Sequence, residues 1–97
     1  MAGATLRRDG DALAFAGELV RDAVPALWNE AWRALDGVRR LDLSGVTRVD
    51  SAGLALLAVL AERAGGATVA GEPAGLPELR RAYRLSPALS FRVGMTP

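Results

Sequence analysis

The hexapeptide V-D-S-A-G-L at residues 49–54 sets a carboxylate, a hydroxyl and a glycine directly ahead of the apolar run A-L-L-A-V-L-A. Three kinds of chemistry use such a junction. Ser51 is a nucleophile if a base stands in reach, a phosphate acceptor if a kinase supplies the chemistry, or a contact point if a partner docks there. The plainest reading is a helix start. Asp50 or Ser51 would then accept a hydrogen bond from an otherwise unpaired helix N–H, worth about 1 kcal/mol.

The nucleophile reading fails on composition. The chain has no histidine and no cysteine, and all twelve of its basic residues are arginine. Ser51 therefore has no imidazole or amine to activate it, and a carboxylate alone is a poor activator. The segment also lacks the G-x-S-x-G pattern of a strained nucleophile turn. The protein is not expected to be an enzyme. The same absences remove disulfides, thiol chemistry and the usual zinc ligands. Asp42 and Asp50 flank the junction, but without other ligand types nearby they read as surface acids or caps. No metal and no cofactor is expected. Phosphorylation of Ser51 stays open. A phosphate at a helix N-terminus is favoured by the backbone N–H groups and the dipole, and it adds about two negative charges to any docking surface.

The helix that follows is expected from about Ser51 to Ala64, ending at Gly65-Gly66 where left-handed backbone is easy. Leu54, Leu56, Leu57, Leu60, Ala61 and Ala64 share the inward arc. The opposite side carries Ser51, Ala52, Ala55, Val59 and Glu62. A solvated helix face normally carries long polar side chains, whereas Ala52, Ala55 and Val59 are small and apolar. Either alanine serves here as a good helix former in an alanine-rich chain, or the stripe meets another protein. On the second reading Asp50, Ser51, Ala52, Ala55, Val59 and Glu62 are the partner-binding residues.

Positioning this junction requires a sheet. Leu13, Phe15 and Leu19 alternate with small residues after a turn at Asp9-Gly10-Asp11, the pattern of a hairpin. A first helix is predicted from about Asp22, as N-cap, to Asp36, with Pro25 tolerated in its first turn. Its broad apolar face holds Val24, Leu27, Trp28, Ala31, Trp32, Ala34 and Leu35, with Trp32 at the edge, and Asn29, Glu30 and Arg33 lie opposite. V-R-R-L-D-L-S-G-V reads as a strand with Leu41 and Leu43 on one face, ending at Ser44-Gly45. A-T-V-A-G is another short strand. L-P-E-L-R-R-A-Y-R-L makes a last helix with Leu76, Leu79 and Tyr83 inward. Its Arg80, Arg81 and Arg84 face outward, as a solvated face or as a contact for phosphate or acidic lipid. After Pro87 the tail adds a turn or a short edge strand. Strands alternating with helices predict an α/β fold with a largely parallel sheet and right-handed crossovers.

Ninety-seven residues make one domain, taken as 1–97 with a core of about 4–86 and a short tail at 87–97. Hydrophobic residues make up 51% of the chain, a globular composition, and with five aromatic residues the core must be mostly Leu, Val and Ala. A net charge of +1 argues against a nucleic-acid binder. The N-terminus has no apolar signal core, and no apolar stretch approaches the ~18 residues of a membrane span. A cytoplasmic protein without direct membrane insertion is expected.

The element order and the segment D-L-S-G-V-T-R-V-D-S-A-G-L together resemble the STAS domain, the module named after sulphate transporters and anti-sigma factor antagonists. Its most telling segment is a central strand, a short loop, and D-[ST]-x-G-L opening a helix. The resemblance covers most of the chain and implies a single small STAS-like domain, with about three helices on a mostly parallel sheet of about four strands. Within the family, G-D-A-L-A-F-A-G-E-L at 10–19, P-A-L-W at 25–28, S-G-V-T-R-V-D-S-A-G-L-A-L-L at 44–57 and L-R-R-A-Y-R-L at 79–85 are most similar to a particular subgroup. These are the small cytoplasmic STAS subunits of phospholipid-transporting ABC complexes that maintain outer-membrane lipid asymmetry. That resemblance implies binding to the complex's ATPase subunit, support of its assembly and activity, and an indirect link to the membrane permease and substrate-binding subunits. The localisation it implies is peripheral to the inner membrane. In that subgroup the hydroxyl residue after the Asp lies at the ATPase contact, and Ser51 occupies its position. In anti-sigma factor antagonists the same position is the phosphorylated serine. The alternative implied function is therefore a regulator switched by phosphorylation of Ser51.

Overall fold

Strand pairing begins with the hairpin. In a computed structural model, which describes residues 4–85, β1 (Thr5–Asp9) and β2 (Ala12–Leu19) are antiparallel, with Asp9 opposite Ala12 across a two-residue turn. Then follow α1 (Val24–Arg33), β3 (Arg40–Val49), α2 (Ser51–Arg63), β4 (Thr68–Ala70) and α3 (Leu76–Ala82). The sheet order is β1-β2-β3-β4, and β2, β3 and β4 are parallel neighbours. This is the expected α/β architecture. Each parallel strand is laid beside the last in one direction, so right-handed crossovers put α1 and α2 on the same face. The core lies between that face and the helices. Leu13, Phe15, Leu19, Leu41, Leu43, Leu57, Leu60 and Leu76 are its largest fully buried side chains.

Four boundaries and faces differ from the sequence reading, each for a physical reason. The first helix does not start at an Asp22 cap. A 3-10 turn occupies Arg21–Ala23, Ala23 takes the N-cap position without a side-chain bond, and Asp22 is exposed. That turn is held from outside, by a carboxylate described below. The helix also stops earlier, at Arg33. The guanidinium of Arg8 donates to the carbonyls of Ala34 (2.6 Å) and Asp36 (2.9 Å), which takes these groups out of any further helical turn. Within α1, Leu27 and Ala31 are buried and Trp28 packs against the core, while Trp32 is 43% exposed.

The third strand does not end at Ser44-Gly45. It continues to Val49, because Val46 and Val49 are β-branched, are buried on the core face, and pair with Gly17 and Leu19 of β2. Gly45 survives inside the strand at an irregularity in the β2–β3 register. The strand therefore delivers Asp50 directly to the helix without an intervening loop.

Tyr83 and Arg80 exchange their expected places. The last helix is only seven residues long, and Arg84 adopts a left-handed φ of 55° just beyond it. The Arg84 N–H bonds the Arg81 carbonyl and the Leu85 N–H bonds the Arg80 carbonyl, a Schellman closure with Leu85 buried. This reversal carries Leu85 inward and leaves Tyr83 48% exposed. Arg80 turns toward Glu72 (3.7 Å) and is mostly covered, so the outward face of three arginines does not form. The expected tail element after Pro87 lies outside the described residues.

Candidate functional site at the start of the second helix

Asp50 is where β3 hands over to α2, and four of its atoms are used at once. Its backbone is extended, as an N-cap requires. Its Oδ1 accepts from the Gly53 N–H (2.9 Å) and its Oδ2 from the Arg21 N–H (3.0 Å). Its own N–H donates to the Leu19 carbonyl (3.2 Å), and its carbonyl accepts from the Leu54 N–H (2.9 Å). One residue thus ties the end of β2, the turn before α1 and the first turn of α2 together.

The electrostatics follow. Partial burial of Asp50 pushes its pKa up, but the N–H groups of Gly53, Arg21 and Ala52, with the charge of Arg48, outweigh that and hold the carboxyl below its ordinary value of 3.8. A depressed folded-state pKa means that ionised Asp50 stabilises the fold fully above the unfolded pKa, and that this contribution is lost as pH falls through the folded value. Asp50→Asn keeps an acceptor for Gly53 but turns an amide N–H₂ or a weaker acceptor toward Arg21. It should lose about 1–3 kcal/mol near neutral pH. Thermal melts of parent and variant should converge as the pH is lowered below 4. Parallel melting curves over that range would mean that the carboxylate is not the tie.

Gly53 explains how close the helix comes. A Cβ there would overlap the carbonyl oxygen of Leu19 and lie 2.8 Å from the carbonyl carbon. The first turn of α2 therefore rests directly on the β2 backbone, which no side chain allows.

Ser51 stands on the other side of this turn. The sequence offered Asp50 or Ser51 as cap, and the structure assigns the role to Asp50. Ser51 is exposed, and its hydroxyl makes no hydrogen bond among the described residues. Ala55, Val59 and Glu62 are likewise exposed and Ala52 is half-buried, while Leu54, Leu56, Leu57, Leu60 and Ala61 are buried. The outward stripe exists with the expected membership. Asp50 alone differs in kind, because both of its carboxylate oxygens are spent inside the domain.

Two residues that sequence reasoning directed inward extend this face. Among the described residues the exposed large hydrophobics are Val59, Trp32 and Tyr83. Val59 is on α2 itself. Tyr83 borders the N-terminal half of α2, across a shallow groove of about 250 Å³ lined by Ser51, Leu54, Ala55, Ala58, Tyr83 and Leu85. Trp32 borders the C-terminal end, where the Arg63 guanidinium sits 5.0 Å above its ring and Trp28 lies 5.1 Å away. The edge position of Trp32 in the apolar arc was a sequence signal for this. The exposure of Tyr83 had none, since it depends on the left-handed turn at Arg84.

Asp42 belongs elsewhere. It lies eight positions before Asp50 on an extended strand, about 26 Å by strand geometry, so the two acids do not form one site. Its Oδ1 accepts from the Ser44 N–H (3.0 Å) and Oγ (2.7 Å), and these bonds hold its pKa below the usual value against a modest opposing effect of burial. A broad depression at the far end of the domain, lined by Asp11, Asp36, Arg39 and Arg63 among others, mixes charges of both signs and is remote from Ser51. Among the described residues, no helix is long and apolar enough to cross a membrane.

Comparison with known proteins agrees with this architecture. A family model described as "Mlab, STAS domain" matches residues 3–89. Two curated relatives, from Escherichia coli (strain K12) and Shigella flexneri, each carry the name "Intermembrane phospholipid transport system binding protein MlaB". Each is 50% identical over 48 residues, which is 50% of this chain and 50% of the relative. The match therefore spans about half the length of these relatives.

Proposed function

This chain belongs to the MlaB-type STAS domain family, and from that membership we propose that it is a non-enzymatic subunit of a phospholipid-transporting ABC system. It docks on the ATPase of that system through the outward face of α2 and supports the assembly and activity of the complex. Its link to the permease and substrate-binding subunits runs through the ATPase, which keeps it on the cytoplasmic side of the inner membrane.

One observation carries the reading. The exposed large hydrophobics of the described residues all lie on α2 or immediately beside it, around the small-residue stripe of Ser51, Ala52, Ala55 and Val59. An apolar surface with few charges and aromatic residues at its margin has the composition of an interface centre. Glu62 and the Trp32–Arg63 pair supply a polar edge. Asp50 serves the face indirectly, by setting the angle and height of the helix that presents it. The names of the relatives supply the transport system.

The exposed hydroxyl of Ser51, unbonded among the described residues, supports a second reading, a phosphorylation-switched antagonist. A phosphate there would share the helix start with the Asp50 carboxylate, which already holds the Gly53 and Arg21 N–H groups. Co-expression separates the two readings. The chain should co-purify with its cognate ABC ATPase and, alone, show no ATP hydrolysis. Recovery with a serine kinase and a sigma factor, and never with the ATPase, would establish the second reading and end the first.

A further inference from the structure

The sheet has a second face, and among the described residues no helix covers it. Register partners on adjacent strands point to the same side. Leu6, Leu13, Phe15 and Leu41 point to the core, and Arg8 reaches the end of α1 on that same side. The opposite side therefore carries Thr5, Arg7 and Asp9 of β1, Ala12, Ala14 and Ala16 of β2, and Arg40 and Asp42 of β3. Ala12 is already buried on this side, so the open part of the row is Ala14 and Ala16, which are half-buried. They floor a trough along β2, a depression of about 500 Å³ whose lining also includes Thr5, Arg7, Asp42 and Ser44.

The charges flanking the trough form a checkerboard. In one row Asp9, Ala12 and Arg40 are register partners, and in the next Arg7, Ala14 and Asp42. The order across the trough is negative to positive in the first row and positive to negative in the second. Among the described residues the ion pairs within 4.0 Å are Arg48–Glu18 and Arg80–Glu72, so none of these four charges is in one. A two-fold axis along β2 lays the face on a copy of itself. Each row then meets its own mirror order, so Arg7 stands against Asp42 and Asp9 against Arg40, twice each, with alanine trough against alanine trough. Such self-complementarity is what an isologous contact needs.

We propose that the open sheet face is a self-association surface, whose partner is a second copy of this chain held by crossed Arg7–Asp42 and Asp9–Arg40 pairs over the alanine trough. The footprint spans only three strands, so the dimer is a weak and reversible one, of the class that small interfaces give. It uses the side of the sheet away from α2, so two copies joined this way keep both α2 faces free for partners.

Analytical ultracentrifugation of the full chain over about 0.01–1 mM tests this. The weight-average mass should rise with concentration, and the rise should shrink as salt is added, because exposed pairs are screened. Arg7→Asp and Asp42→Arg should each weaken association about tenfold, since each puts like charges face to face. The double variant carrying both changes should recover it, because the pair is restored in reverse. Ala55→Arg, on the far side, should leave it unchanged. Circular dichroism melts check that the variants fold, and the salt response needs no variant at all. A monomer throughout that range, a salt-independent dimer, or a double variant no better than the singles would overturn the proposal.

Discussion

Gly53→Val is expected to cost the fold about 5 kcal/mol or more, in the exceptional tail of single substitutions. A domain of this length has roughly 5–15 kcal/mol in total, so the variant should be largely unfolded or close to it. The reason is local and steric. A Cβ at this position overlaps the Leu19 carbonyl oxygen, so any side chain must lift the first turn of α2 off the β2 backbone. That lift would also stretch the hydrogen bonds from Asp50 to Leu19 and from Gly53 to Asp50 (3.2 and 2.9 Å). Gly53→Ala makes the argument discriminating. Helix propensity alone would reward alanine by about 1 kcal/mol. The clash should reverse the sign and give a net loss of about 2 kcal/mol, within the range for overpacking. Urea unfolding followed by the fluorescence of Trp28 and Trp32 measures both variants. A stabilised Gly53→Ala protein would show that the helix does not rest on the strand as described.

Ala55→Arg is expected to weaken ATPase binding strongly while the isolated domain melts near the parent temperature. Ala55 is exposed and lines the groove beside Tyr83, so an arginine costs the free protein little. In the docked state its bulk and its charge would be desolvated without a partner. A loss on the order of 100-fold in affinity, close to 3 kcal/mol, is the expected size. Ser51→Glu should act in the same direction. A carboxylate near a helix N-terminus is electrostatically favourable, although here it stands next to ionised Asp50, so the fold should survive it with little gain. Affinity for the ATPase by calorimetry, set beside thermal melts of each variant alone, separates docking from stability. If both variants bind as tightly as the parent, the outward face of α2 is not the docking surface. Loss of binding together with loss of fold in both would leave Tyr83→Ala to decide. That residue is 48% exposed, at the C-cap of α3, and its removal should spare the fold.

Much of this site is local in character, which is why it can be read from residues. The inward and outward halves of α2 follow from a period of 3.6 residues, and Leu54, Leu57 and Leu60 against Ser51, Ala55 and Val59 needs no tertiary information. The end of α2 at Gly65-Gly66 is equally local: both glycines have positive φ, and their N–H groups close on the Glu62 and Ala61 carbonyls. The absence of histidine, cysteine and lysine excludes whole mechanisms before any fold is considered.

What the sequence by itself determined, then, is the alternation of strands and helices, the two faces of α2 and the poverty of catalytic groups, because each depends on neighbours within one or two turns. The tertiary structure decided everything that depends on a distant contact. Asp50 became the cap rather than Ser51 because its second oxygen also finds the Arg21 N–H, twenty-nine residues away. The first helix ends early because Arg8, from another strand, takes the carbonyls of Ala34 and Asp36. The third strand runs on to Val49 because β2 offers it a paired edge and a buried face. Tyr83 joins the surface of α2 because a left-handed Arg84 lets Leu85 fill the core in its place. In each case a backbone group or an apolar side chain has a local option and a distant one, and packing against the sheet makes the distant one the lower in free energy.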